Sequence, residues 1–197
     1  MRHGMFVIAV LVTLDAQGLP EVRRLYDAGK FKEVIGAVEQ AAAGDTASRL
    51  QYLAAQSHEK LNNGGAARQI YQRLANGPQP VWADIGRSAL ALLDKRVDDA
   101  LASANNAARD PSLPEAHYQR GIVLTVRHED AEAAGAFDKA TALDPSFAAA
   151  HYYGGLANYR IKRIDRTAAH FEAFLKLAPN APERPEVESI MRTLRGR

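Results

Sequence analysis

Six histidines and 23 carboxylates are the groups with which this chain could do acid–base or metal chemistry, and no cysteine joins them. The absence of Cys excludes a thiolate nucleophile, a disulfide framework and any Cys-based metal site. His58-Glu59 lacks the second His, four residues after the first, that a helical zinc-hydrolase site needs. His128-Glu129-Asp130 with Glu132 has the composition of a metal cluster, but it falls where one helix turns into the next and reads as a solvated turn. His117, His151 and His170 stand at helical positions that face packing surfaces, where a lone His serves structure. No glycine-rich phosphate loop and no Gly-x-Ser-x-Gly elbow occurs. The expectation is therefore no enzyme, no cofactor and no metal, and the function must lie in a surface.

The elements that would carry such a surface are written in a repeat. FDKATALDP (137–145) and FEAFLKLAP (171–179) share one frame, 34 residues apart. Moving back in steps of 33 or 34 returns an i, i+4, i+7 triad: Thr167/Phe171/Phe174, Ala133/Phe137/Ala140, Ala100/Ala104/Ala107, Ala67/Tyr71/Leu74 and Val34/Val38/Ala41. Such a triad is one face of a helix, so each unit buries one side of a helix. Twelve residues before four of these triads stands a small residue, Ala55, Ser88, Gly121 or Gly155, which lets a preceding helix approach closely. Val22 fills that slot in the first unit and predicts a looser hairpin there. Asp98, Asp130 and Asp165 are placed to accept orphan amide protons at the start of the second helix of their units. Gly29 and Asn62-Asn63-Gly64-Gly65 supply turns, and Pro111, Pro145 and Pro179 stop the helices between units.

A helical hairpin of this length, with these small, Ala, Phe, Ala and Pro positions, resembles the tetratricopeptide repeat. The unit 114–147 matches at Gly121, Ala133, Phe137, Ala140 and Pro145. The unit 148–181 keeps Gly155, Phe171 and Pro179, with Thr167 and Phe174 where the family favours Ala. The family's Trp and Leu positions on the first helix are filled by His117 with Arg120 and by His151 with Gly154. The resemblance implies an all-α fold, an α-solenoid of about five helical hairpins, whose first helices line a concave groove that receives a protein or peptide segment. The family's groove positions fall here on Tyr52, Gln56, Trp82, Ile85, Ala89, Tyr118, Ile122, Tyr152, Leu156 and Tyr159. The cluster of Lys, Asn and Arg with which cytosolic relatives hold a terminal carboxylate is replaced by Ile, Ala, Tyr and Gln. Recognition of a chaperone tail is therefore not expected.

The expected units are about 19–46, 47–79, 80–113, 114–147 and 148–181, followed by a capping helix within 182–197. In that last segment Pro185 suits a first turn, and Val187, Ile190, Met191 and Leu194 form an apolar stripe that would seal the final hairpin. Residues 1–18 read as a signal peptide: a basic MRHG, the apolar run MFVIAVLVTL, and Ala16 and Gly18 as small residues before a cut. The run is too short to span a bilayer, so no membrane span is expected after its removal. Export, to the periplasm in a bacterium with two membranes, follows from this reading. The alternatives are a cytoplasmic scaffold whose apolar start stays folded on the first unit, and a self-associating structural module. A formal charge of +2 with mixed signs along the chain gives no electrostatic ground for nucleic acid. Oligomeric state is left open by the sequence.

Overall fold

The computed structural model describes residues 18–38 and 45–196. The reading of residues 1–17 as the body of a signal peptide, and Ala41 of the first triad, lie outside the described residues. Among the described residues the chain is built from helices: α1 (Gly18–Asp27), α2 (Phe31–Val38), α3 (Asp45–Lys60), α4 (Gly64–Ala75), α5 (Pro80–Leu93), α6 (Val97–Ala107), α7 (Pro114–Val126), α8 (Asp130–Leu143), α9 (Ala148–Arg160), α10 (Ile164–Leu177) and α11 (Arg184–Arg195). They pair as five antiparallel hairpins, each stacked on the next, with α11 closing the end.

The seam inside each hairpin is apolar and tight. Ala67, Ala100, Ala104, Ala107, Ala133, Phe137, Ala140 and Phe171 are fully buried. A β-carbon on Gly121 would stand 2.6 Å from the Phe137 ring, and one on Gly155 would collide with the ring of Phe171. The glycines are therefore sockets for the aromatic knobs of the partner helix. In the first hairpin Val22 and Val34 are buried and pack with Leu50 and Leu53 of α3. At the other end Val187 and Met191 of α11 are buried against Phe171, Phe174 and Ala181. The apolar side of the last hairpin is thereby sealed.

Each hairpin turn places one residue in the left-handed region: Gly29, Asn62, Lys95, His128 and Lys162, with φ between 57° and 72°. The spacing is 33 or 34 residues, so the turn geometry repeats even where Gly and Asn do not. His128, the centre of the apparent metal cluster, is one of these exposed turn residues. Between units, Asp110 and Asp144 accept from both the amide and the hydroxyl of Ser112 and Ser146. Each Asp-Pro-Ser thus fixes its turn by its own side chain.

The expected capping by Asp98, Asp130 and Asp165 does not occur. The residues preceding α6, α8 and α10 are Arg96, Glu129 and Arg163, and no side chain caps these helices. The aspartates lie in the first turn itself, past the position from which a carboxylate reaches back to the free amides. Asp98 instead pairs with Arg127, and Asp130 with Arg160 at 3.1 Å, one unit further along. Arg68–Asp94 and Arg166–Asp138 continue this ladder from one unit to the next.

Candidate functional site

The curl of the array brings its two ends together across the inner face. Arg23 of α1 donates to Glu115 of α7 at 3.1 Å and to Asp144, and its guanidinium lies 5.0 Å from the Phe147 ring. Arg49 of α3 also binds Glu115, at 2.7 Å, so a carboxylate only 2% exposed is held by two guanidinium groups. That pairing is what allows an acid to be buried there. Lys60 at the end of α3 reaches Glu183 at 2.9 Å. At the turn between α1 and α2, a β-carbon on Gly29 would stand 2.6 Å from Pro182. These contacts join residues 66 to 153 positions apart, and no periodic pattern announces them.

Under this closure, α3, α5 and α7 border a half-open cavity of about 330 Å³ whose lining includes Gln56, Tyr71, Ala89, Tyr118, Gln119 and Ile122, with Tyr26, Glu59, Lys60, Leu92 and Tyr153 around them. Four of the ten groove residues expected from the sequence, Gln56, Ala89, Tyr118 and Ile122, meet here. Gln56, Ala89 and Ile122 are successive 33-residue steps on the first helices of three neighbouring hairpins. Helix periodicity turns the same side of each toward the inner face.

The other expected residues have different places. Tyr52 and Ile85 are sealed in the core at 1% and 0% exposure. Tyr52 donates to Gln119 at 2.6 Å, and Gln119 in turn donates to Ser88 at 3.1 Å, so polar atoms inside the stack are satisfied by one another. Trp82 is buried 6.0 Å from the Tyr52 ring and lines a separate cavity with Gln51, Pro78 and Gln79. Tyr152 packs on Phe174 and donates to Glu186 at 2.7 Å, which ties it to α11. Leu156 packs in the same terminal cluster, and Tyr159 is half-buried on α9. Packing between hairpins takes the large side chains that the family positions had offered to a ligand.

Residues the sequence reading passed over complete the cavity. Glu59 and Leu92 occupy one repeat slot, three residues after Gln56 and Ala89, and that i+3 relation was the available signal. Tyr26 comes from α1 and Tyr153 is one position off the Tyr118 register, so neither could be found by stepping along the repeat. Tyr71 donates to Glu59. The Glu59 carboxyl is raised, chiefly by desolvation, with the Tyr71 hydrogen bond opposing. Burial also pushes the phenols of Tyr26, Tyr71 and Tyr118 well up, so all are neutral donors. Asp27 lines a small adjoining cavity with Tyr26, Lys60 and Tyr153, and desolvation pushes its carboxyl up to about 7.

His117, His151 and His170 are tied into the stack, and His58 is half-buried on α3. His151 and His170 meet through their Nδ1 atoms at 3.2 Å, and His170 Nε2 meets the Asp138 carboxylate at 2.8 Å. His117 is buried on α7, and desolvation lowers its pKa. Among the described residues, no group of three or more His, Asp or Glu side chains is arranged to hold a metal ion.

Stacked helical hairpins with a hollow inner face define an α-solenoid. The tetratricopeptide repeat profile matches residues 19–80 and 131–182, and the chain belongs to that family. Among solved structures, it is similar to TTC0263, a thermophilic repeat protein of Thermus thermophilus, at a TM-score of 0.61 and 18% identity, covering 91% of this chain and 97% of that one. The first repeat domain of Spaghetti (RPAP3), bound to the HSP90 peptide SRMEEVD, aligns at 0.55 with 21% identity over 59% of this chain and 96% of its own. YrrB, described as having an unusual peptide-binding site, aligns at 0.53 with 16% identity over 87% and 90%. These likenesses are of fold. No curated protein matches the sequence.

Proposed function

We propose that this chain is a protein-interaction scaffold that takes a segment of a partner protein into the inner-face cavity between α3, α5 and α7. The observation that carries the reading is the cavity itself: about 330 Å³, with Gln56, Ala89 and Ile122 in the same repeat slot of three hairpins. Aromatic and aliphatic walls give contact area, and Gln56 offers polar atoms that orient a backbone. Two structures of the same fold carry peptide binding in their descriptions, which supports this use of a solenoid's hollow. The side chains here differ from a carboxylate-holding cluster, so a C-terminal carboxylate is not the feature they would hold.

The test is affinity capture with the full chain and with a Gln56→Ala, Ile122→Ala double variant. Both side chains are half-buried on the cavity wall and can be shortened without emptying the core, unlike Tyr118 at 3% exposure. Partners bound by the wild type and lost from a variant of unchanged helicity support the reading; partners retained in full contradict it.

The basic start, apolar run and small residues at Ala16 and Gly18 support export, and we place the scaffold in a bacterial cell envelope on that ground. The intact mass of the purified mature protein tests it: a chain beginning at Leu19 is expected, and one beginning at Met1 contradicts it.

A further inference from the structure

We infer that the inner-face cavity selects a cationic side chain, an amine or guanidinium carried by the partner segment. The inference rests on the function proposed above and names the chemistry of its ligand.

Three observations converge. First, Tyr26, Tyr71, Tyr118 and Tyr153 line the walls, and rings of this kind attract a cation. Secondly, Tyr118 is only 3% exposed, yet its hydroxyl has no hydrogen-bond partner among the described residues and lines the cavity. Its ring is fixed between Phe137 and Phe147 at 5.9 and 4.8 Å, which sets where the hydroxyl stands on the cavity wall. A polar group held in place and open to the cavity in this way can take a ligand atom as its partner. Thirdly, the acids at the cavity form no ion pair, although Lys60 acts on Glu59 and Arg23 on Asp27 through space. Glu59 stands at the mouth with Tyr71 as its donor, and it forms no ion pair among the described residues. The basic residue of the lining, Lys60, is held by Glu183. Asp27, in the adjoining cavity, is also without an ion-pair partner among the described residues. With Lys60 held by Glu183, Glu59 is the acid of the lining that an anionic ligand would meet.

A cation entering this cavity would lie over the tyrosine faces, place its N–H donors on the Tyr118 oxygen and Glu59, and neutralise the acid. A neutral side chain of equal size would gain only the apolar contact.

The probes are n-butylguanidinium and its neutral relative n-butylurea, added to the full chain and followed by NMR of the tyrosine ring signals. The cation should shift Tyr118 and Tyr153 in a saturable way and bind about fivefold or more tighter than the urea. Glu59→Gln keeps an acceptor for Tyr71 and should reduce cation affinity by a similar factor while leaving the melting temperature in place. Equal binding of the two probes, no saturable shift, or an unaffected Glu59→Gln variant would each overturn the inference. The two readings separate cleanly. If capture finds partners that depend on Gln56 and Ile122 while the probes do not discriminate, the scaffold stands and the cation preference falls. If butylguanidinium binds as expected and capture is unaffected by the double variant, the cavity is a cation site and the protein-partner reading falls.

Discussion

The seam of the fourth and fifth hairpins and the inner face that joins the first hairpin to them are held by opposite kinds of force. At the seam, Phe137 and Phe171 fill sockets made by Gly121 and Gly155, with no polar atom involved and partners 16 residues apart. Across the inner face, Arg23 and Arg49 hold Glu115, Arg23 reaches Asp144, and Lys60 reaches Glu183, between residues as much as 123 positions apart. A seam of that kind is needed for the hairpin to exist, because nothing else hides its apolar side. The polar bridges do something different: they set how far the array curls and so how wide the cavity between α3, α5 and α7 stands. In a solenoid, where each unit leans mainly on its neighbours, such bridges can loosen without unfolding the stack.

That contrast can be broken or sharpened by substitution. The largest effect is expected at the seam. Gly121→Leu drives a side chain into the Phe137 ring and should cost about 3 kcal/mol, lowering the melting temperature by roughly 6 to 12 °C in a thermal scan. An unchanged melting temperature would remove the socket from the account. Glu115→Gln leaves two arginines without their carboxylate and should cost about 2 kcal/mol. Its signature is faster hydrogen exchange concentrated in α1 and α2, with α8 to α10 protected as before. Uniform acceleration along the chain would mean that the bridges and the seams are one cooperative unit.

Asp27 gives a smaller effect with a definite sign. Its carboxyl is raised in the folded protein from an ordinary value near 3.8 to about 7, so the folded state binds the proton more tightly than the unfolded chain does. The favourable contribution of the protonated group is complete below about pH 4 and is lost as pH rises through 7. Asp27→Asn should therefore stabilise the protein by about 1 kcal/mol at pH 8 and by almost nothing at pH 4, read from denaturant unfolding at the two values. A constant difference would show that Asp27 is not desolvated in the folded chain. Smallest of all, Lys162→Gly relieves a left-handed backbone at φ 61° and should stabilise by about 0.5 kcal/mol, with Lys95→Gly alike.

The same contrast explains what the sequence could reveal. Side-chain size at Gly121, Phe137, Gly155 and Phe171 recurs with the repeat because each hairpin solves the same packing problem, so the seams and the all-α solenoid could be read directly. The Asp-Pro steps were legible as stops for the same reason. The aspartates at 98, 130 and 165 were misread as caps because their position relative to the first helical residue is a matter of one or two places, which a pattern of period 33 or 34 cannot resolve. The left-handed turn was visible where Gly29 and Asn62 mark it and hidden where Lys95, His128 and Lys162 take the same backbone shape. At the site, Gln56, Ala89 and Ile122 were legible as one slot. Tyr52, Trp82 and Ile85 were not distinguishable from it, because inward-facing and inter-hairpin positions alternate on one helix within a single turn. The bridges of Arg23 and Lys60 join units far apart along the array, so no single unit encodes them.

The measurement that goes straight to the central claim is photo-crosslinking from inside the cavity. A photoreactive phenylalanine placed at position 56 or 122 of the full chain should capture a partner, while one at Glu132, exposed on α8, should not. Crosslinks from both cavity positions and none from 132 are the predicted result. Crosslinks from 132 alone would place the partner on another face and contradict the account.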